Sequence, residues 1–302
     1  MNWKSFTVAA VALFTTGIAS AQSNLLNATS PEEIGKKTQQ QKDADNNDNP
    51  LEYGFVDDRD LLWSKVTWEY IDLNERINLP LYYPVDTNNI SSDRRSLYDT
   101  LLKGIRQGKV TKIYDDSYFT TSMTIKEIDE KLVRIDTSDY AIDLLNEDPN
   151  ADIRDYVDTY NLESRHVVGF QIRGVWYFDK RQGELKYRLI GLAPVTPDVQ
   201  TLGKEDELGE SEKLPLFWVY YPDARYVLHN AKAFNEKNSA YPISYDHLLN
   251  ARRFNGIIYR SENVYGNRDV RDYVRGNSLF QVLESDRIKD EIRSKEHDMW
   301  SY

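Results

Sequence analysis

The longest alternation in the chain runs from Val168 to Phe178. Val168, Phe170, Ile172, Trp176 and Phe178 fall on one face with Gly174 in register, and Gln171 and Arg173 fall on the other. A period of two over this length predicts a half-buried antiparallel strand. The polar stretch Asp179–Glu184, in which Gly183 can take a positive φ, predicts a turn. Leu185, Tyr187 and Leu189 then alternate with Lys186 and Arg188, so a hairpin is expected near 166–193. Leu216-Phe217-Trp218-Val219-Tyr220-Tyr221 is apolar throughout, as in a central strand near 216–221 covered on both faces. Pro222-Asp223 is expected to turn the chain and Tyr226-Val227-Leu228 to continue it.

Helical spacing marks other segments. Trp63, Val66 and Tyr70 recur at three and four, with Ile71 and Leu73 close by, which predicts a helix over Asp60–Leu73. Pro80 and Pro84 flank Leu81-Tyr82-Tyr83, which reads as extended. Leu97, Leu101, Leu102 and Ile105 share a face, with Ser92 or Asp93 as the cap and Gly108 as the stop. Val110–Tyr114 is a short strand candidate. Thr124-Ile125-Lys126-Glu127 has the form of a capping box ahead of Ile128 and Leu132. Ser244 is placed to cap a segment carrying Leu248, Leu249, Arg252 and Phe254, closed by Gly256. Ser278-Leu279-Phe280-Gln281 has a second capping-box pattern, opening a charged helix through Val282, Leu283, Ile288 and Ile292. The expected fold class is α+β: a small antiparallel sheet packed by helices, with a helical C-terminus.

Three segments stand apart. Residues 1–21 carry one charge, Lys4, then an apolar run from Phe6 to Ile18 and the small residues Ala19-Ser20-Ala21. The run is short of the ~20 residues a membrane span needs, so it reads as a secretory signal peptide. No Cys follows it for lipid attachment. Residues 22–54 form a polar tail with no aromatic residue from Gln22 to Glu52, and such a segment buries too little apolar area to offset the entropy of ordering it. It reads as a spacer or as an arm that orders on a partner. The remaining body, 55–302, is expected to be one domain with a mobile acidic loop at 196–215, where six acids face two lysines.

Composition narrows function by exclusion. The 302 residues carry 38 Lys+Arg against 49 Asp+Glu, a formal charge of −11. Such a chain gains no counterion release from a phosphate backbone, which argues against nucleic acid as a partner. There is no cysteine, so zinc-finger, iron–sulfur and thiol-nucleophile chemistry is excluded. His166, His229, His247 and His297 are never three to five residues apart, and no helical zinc motif results. Gly104-Ile105-Arg106-Gln107-Gly108-Lys109 falls short of a P-loop by one residue between the glycines, and Val110 stands where a metal-binding Ser or Thr belongs. Asp57-Asp58-Arg59-Asp60 and Asp115-Asp116 match no calcium loop. No catalytic residue, cofactor or metal site is expected. The surplus is aromatic, with 21 Tyr, 10 Phe and 6 Trp, residues that suit protein interfaces and sugar platforms as well as cores. Trp176 and Trp218 read as core. Tyr220-Tyr221-Pro222-Asp223 reads equally as core or interface.

Several longer runs together resemble one family. They are Asp57–Asp60, Ile71–Asn78 (IDLNERIN), Asp93–Asp99 (DRRSLYD), Leu216–Arg225 (LFWVYYPDAR), Ser261–Tyr265 (SENVY), Leu283–Asp290 (LESDRIKD) and Glu296–Trp300 (EHDMW). In this order they resemble the GldN/PorN family of the Bacteroidota gliding-motility machinery and type IX secretion system. The resemblance implies a non-enzymatic subunit in the periplasm, held at the outer membrane through a partner. That subunit would self-associate in a ring with the outer-membrane lipoprotein GldK/PorK and be met by the motor component GldM/PorM. The residues alone leave open an exported glycan- or peptidoglycan-binding module or a carboxylate-based hydrolase. A head-to-tail ring needs two different patches per subunit, and durable contacts centre on Tyr, Trp and Arg. The interface candidates are Tyr220, Tyr221 and Arg225 at the strand end, and Trp300 and Tyr302 at the C-terminus, whose alternative is docking on their own core. The signal-peptide reading predicts a mature chain beginning at Gln22. Intact-mass measurement of envelope protein checks it, and a retained Met1 would replace it with an uncleaved anchor.

Overall fold

The computed structural model describes residues 48–86, 94–147, 153, 156–202, 212–235 and 242–300. The expected signal peptide, most of the polar tail, the Ser92 or Asp93 expected as a cap, the centre of the acidic loop and Tyr302 lie outside the described residues. Strand β1 (Leu61–Asp72) opens the body, followed by the short helix α1 (Leu79–Tyr82), α2 (Leu97–Arg106) and β2 (Ile113–Tyr114). Helix α3 (Ile125–Leu132) runs into β3 (Val133–Thr137), then α4 (Asp139–Glu147) and β4 (Val157–Asn161). The hairpin β5 (Gly169–Asp179) and β6 (Glu184–Pro197) precedes β7 (Lys213–Pro215), β8 (Trp218–Tyr220) and α5 (Tyr221–Asn230). The chain ends with β9 (Lys232–Ala233), β10 (Ile243–Ser244), α6 (Tyr245–Asn250), β11 (Ile257–Ser261), α7 (Val270–Tyr273) and α8 (Ser278–Trp300).

Seven of these strands form one antiparallel sheet in the order β11-β1-β5-β6-β8-β2, with β7 pairing β6 off that path. β3–β4 and β9–β10 are separate two-stranded ribbons. The α+β expectation and the helical C-terminus hold. The hairpin forms as read: Asp179 pairs with Glu184, and Gly183 takes φ +64°. Its close packing depends on Gly174, where a Cβ would sit 2.1 Å from the Tyr187 hydroxyl.

The helix expected over 60–73 is instead β1, which pairs with β5 from Leu61↔Asp179 to Asp72↔Gly169. Both faces of the sheet are covered here, so Thr67, Trp68 and Glu69 are buried in succession. Val66, Trp68 and Tyr70 alternate with Lys65, Thr67 and Glu69, but Trp63 and Ile71 lie on the side of the polar residues, which gives the segment its misleading helical spacing. Aromatic and β-branched residues favour the pleated conformation. Leu81-Tyr82-Tyr83 is likewise not all extended. Pro80 sits in the first turn of α1, where its missing N–H costs nothing, and only Tyr83 is extended, before Pro84. Pro222 enters α5 in the same way, so the expected turn at 222–223 and the strand continuing through 226–228 are replaced by a helix. Of the run 216–221, only Trp218–Tyr220 is strand, and Tyr221 begins α5. The 196–215 segment is structured at both ends. Thr196 and Pro197 belong to β6, Val199 and Leu202 are buried, and Lys213–Pro215 pairs back onto Val195–Pro197.

Caps follow side-chain chemistry. Ser96 caps α2 by accepting from the Asp99 N–H, and Gly108 closes it at φ +68°. The Gly104–Lys109 segment is therefore a helix end, and Gly104 itself faces Val227 of α5. The Thr124 capping box forms with Glu127, and Ser244 caps α6. At α8 the cap is Asn277, whose side chain accepts from the Leu279 N–H at 2.9 Å, one residue before the expected Ser278.

The main core lies between one face of the sheet and helices α2, α5 and α6, with Ile71, Phe170, Ile172, Leu192 and Val219 meeting Leu101, Ile105, Tyr221, Leu228 and Leu249. Helix α8 packs beside β11 through Ile288 and Ile292 onto Ile258, Trp63 and Trp176. Ser285 Oγ accepts from the Ile258 N–H at 2.8 Å, closing part of that sheet edge. Between these two cores lies a buried ion pair. The fully buried Glu69 carboxylate accepts from both terminal nitrogens of Arg252 at 3.2 and 2.7 Å, and the guanidinium lies 4.2 Å from the Tyr187 ring centroid and 4.9 Å from that of Trp176. Removing one partner strands a buried charge, so Glu69→Ala is expected to cost about 3–5 kcal/mol. The double replacement Glu69→Leu with Arg252→Met should recover most of that loss. Urea unfolding midpoints of the unsubstituted chain and the two variants check it, and a loss under ~1 kcal/mol in Glu69→Ala would mean the pair behaves as a solvated one.

Candidate interaction surface

The strand-end candidates sit where β8 passes into α5. Tyr221 is fully buried and donates its hydroxyl to Asp246 Oδ1 at 2.9 Å. Arg225, one turn on, donates Nε and Nη2 to the two carboxylate oxygens of Asp246 at 2.9 and 3.1 Å. Asn250 Nδ2 donates to Asp246 Oδ1 at 2.9 Å and to the Tyr221 hydroxyl at 3.2 Å. The sequence places Asp246 and Asn250 four apart, so both reach the same side of α6, and the cluster ties α5 to α6. Tyr220 is half-buried, edge-on to Phe119 at 5.6 Å and beneath Lys112 at 5.3 Å. Trp300 ends α8.

A residue that sequence reasoning passed over completes this cluster. Tyr53, assigned there to the tail, donates its hydroxyl to Asn250 Oδ1 at 2.7 Å. Its ring centroid lies 4.2 Å from the Arg225 guanidinium carbon and 4.9 Å from that of Arg188. The carbonyls on either side are also held: Gly54 O accepts from Arg188 at 2.8 Å and Phe55 O from Arg181 at 3.0 Å. Upstream, Asp48 lies 3.0 Å from His229 Nε2. The one available signal was Tyr53 and Phe55 at the end of an aromatic-free stretch.

The other candidate chemistry resolves into structure. Asp57 accepts from the Arg59 N–H, Asp60 pairs with Arg181 at 3.0 Å and Asp115 with Lys131 at 2.6 Å. Asp116 accepts from the backbone of Tyr118, Thr120 and Thr121, shaping a turn. What desolvation it suffers raises its carboxyl, but those bonds and the Thr120 hydroxyl hold it below the ordinary range. His166 Nδ1 accepts from the Glu163 N–H. Among the described residues no group of three or more His, Cys, Asp or Glu is arranged to hold a metal ion, and no helix is long and apolar enough to cross a membrane.

Burial pushes the Tyr53 phenol up to about 12, with Asp246 adding to the rise and Arg225 opposing it. Tyr221 is raised well above its ordinary value by burial and then by Asp246. Unfolded tyrosines release their protons near pH 10, before these folded ones. The stability they contribute is thus complete below pH 10 and is lost as pH rises from 10 through 12 and beyond. Alkaline unfolding should be steep above pH 10, and Tyr53→Phe should flatten the part between 10 and 12. Phenolate absorbance followed against tryptophan fluorescence checks this, and an unchanged profile in Tyr53→Phe would show that the phenol is solvated.

A search of the curated proteins finds no match. The family described as gliding motility associated protein GldN matches residues 56–301, from just after Tyr53 to the end of α8. The sheet, both cores and the Asp246 cluster apart from Tyr53 fall inside that match, and the chain belongs to the GldN family of components of gliding motility and type IX secretion.

Proposed function

We propose that this chain is a non-enzymatic structural subunit of the type IX secretion and gliding-motility machinery. It works in the periplasm, peripherally attached to the outer membrane through a lipoprotein of the GldK/PorK kind. It forms a ring with that lipoprotein through self-association, and the periplasmic part of the motor component GldM/PorM meets the ring. The observation that carries the reading is the extent of the family match, which takes in the whole folded body over residues 56–301. The chemistry of the interior supports it. The buried carboxylates of Glu69, Asp246 and Asp269 are each paired with an arginine, Arg252, Arg225 and Arg260, an arrangement that fixes geometry instead of leaving a reactive group poised. An acidic protein gains nothing from an anionic membrane surface, so attachment through a protein partner accounts for an outer-membrane position.

Co-purification from native envelopes in mild detergent tests this. The tagged chain should bring down a lipoprotein at fixed stoichiometry in a particle many times its own mass. Truncation after Glu296 asks whether Trp300 and Tyr302 belong to that contact: a folded, soluble product that loses the partner assigns them to the interface, and loss of folding assigns them to the core. A chain recovered alone, or one retained on purified peptidoglycan without protein partners, would overturn the assembly reading.

A further inference from the structure

The segment Leu51–Val56 lies along the turn end of the β5–β6 hairpin as a strap. It belongs to no strand or helix. Tyr53 anchors it, and Arg188 and Arg181 hold the next two carbonyls. Together with Tyr177, Lys186 and Tyr187 the strap bounds a cleft of about 280 Å³. Its own apolar side chains find little to cover them, since Leu51 is 86% and Phe55 80% exposed.

The socket is built without the strap. Asp246, Arg225, Tyr221 and Asn250 are bonded to one another, and the first three are buried. A site organised in advance loses little on being vacated and refilled. The body therefore treats Tyr53 and its two carbonyls as a peptide-binding site treats a ligand. The same segment from another copy would make identical contacts, which is the condition for exchange of an element between protomers. Tyr53 is joined to Leu61, the first residue of β1, by a stretch that reaches about 26–29 Å when extended.

The topology gives the exchange a direction. The strap leaves from the start of β1 and ends beside β6, and these strands lie on opposite sides of β5. On the departing side β11 pairs β1 only from Thr67 to Tyr70, leaving Leu61 and Leu62 exposed. A strap passed to a neighbour thus joins the β1 side of one copy to the β6 side of the next. These are two different patches, as head-to-tail assembly requires.

We propose that the Tyr53 socket is an inter-subunit site, filled in the assembled protein by the Leu51–Val56 strap of a second copy. This rests on the self-association in the function proposed above. It also gives the exposed Leu51 and Phe55 a place at the junction between copies.

The chain has no cysteine, so a cross-link reads the exchange directly. Glu52→Cys is placed on one tagged chain and Lys186→Cys on a second, differently tagged chain; both positions line the strap cleft. The two are co-expressed, and envelopes are treated with a short bismaleimide. The doubly substituted chain is the reference for total reaction. Exchange predicts a product bearing both tags, reduced by about tenfold or more when Tyr53→Ala is added to the Glu52→Cys chain and partly retained with Tyr53→Phe. Cross-linking only within the doubly substituted chain, in copies that still bring down the lipoprotein, would overturn strap exchange and leave the assembly reading standing. Copies that neither associate nor retain the lipoprotein would overturn both.

Discussion

The pairing of β5 with β1 on one side and β6 on the other sets the positions of everything else. These three strands run the full height of the sheet, while β11 and β8 pair with only part of β1 and β6. Helices α5 and α6 are placed by the inward residues of β6 and β8, and α8 by those of β1 and β5. Because a slip of one residue would turn every side chain to the opposite face, the register is held tightly. Gly174 beneath Tyr187 and Gly169 beneath Tyr70 admit no larger residue at those points without displacing a ring.

Charge inside this framework serves placement. Glu69 and Arg252 are far apart in sequence, and so are Tyr53 and Asn250. Each contact can form only when the sheet, α6 and the segment after it are in their native arrangement. Such pairs add modest net stability, but mispairing them leaves a buried charge. The guanidinium of Arg173 shows the same economy. It lies between 5.2 and 5.6 Å from the rings of Trp68, Tyr118 and Phe119 and donates to the Ser117 carbonyl at 2.7 Å, fastening the 115–121 turn over the sheet. Much of the aromatic surplus noted in the sequence is consumed in this way, as platforms for arginine within the chain.

What could be read in advance was local. The 179–184 turn, the Thr124 capping box, the Gly108 stop and the Ser244 cap each depend on neighbouring residues, and each formed. In β1 the alternation of Val66, Trp68 and Tyr70 with Lys65, Thr67 and Glu69 is short, and Trp63 and Ile71 fall on its polar side, so the three- and four-residue spacing of Trp63, Val66 and Tyr70 imitates a helix. Pro80 and Pro222 carried two meanings, a break or a first helical turn, and only the following residues' packing chose between them. The Asp246 cluster joins Tyr53, Tyr221, Arg225 and Asn250 across nearly two hundred residues. Tyr221 and Arg225 were singled out from composition, but nothing near them announced Asp246 or the strap.

The strap's manner of attachment fixes how its opening would respond to conditions. Global unfolding exposes the apolar area of both cores and so carries a large heat-capacity change and a steep dependence on urea. Lifting Tyr53 breaks one phenolic hydrogen bond, two guanidinium–ring contacts and two carbonyl contacts, and uncovers a single ring packed on the edge of the main core, since Leu51 and Phe55 are already in water. Such a motion is a sub-global fluctuation whose dependence on urea and on temperature-driven changes in hydration is a small part of that of global unfolding. Salt, which screens the arginines but not the cores, would be the variable that separates it from unfolding of the body.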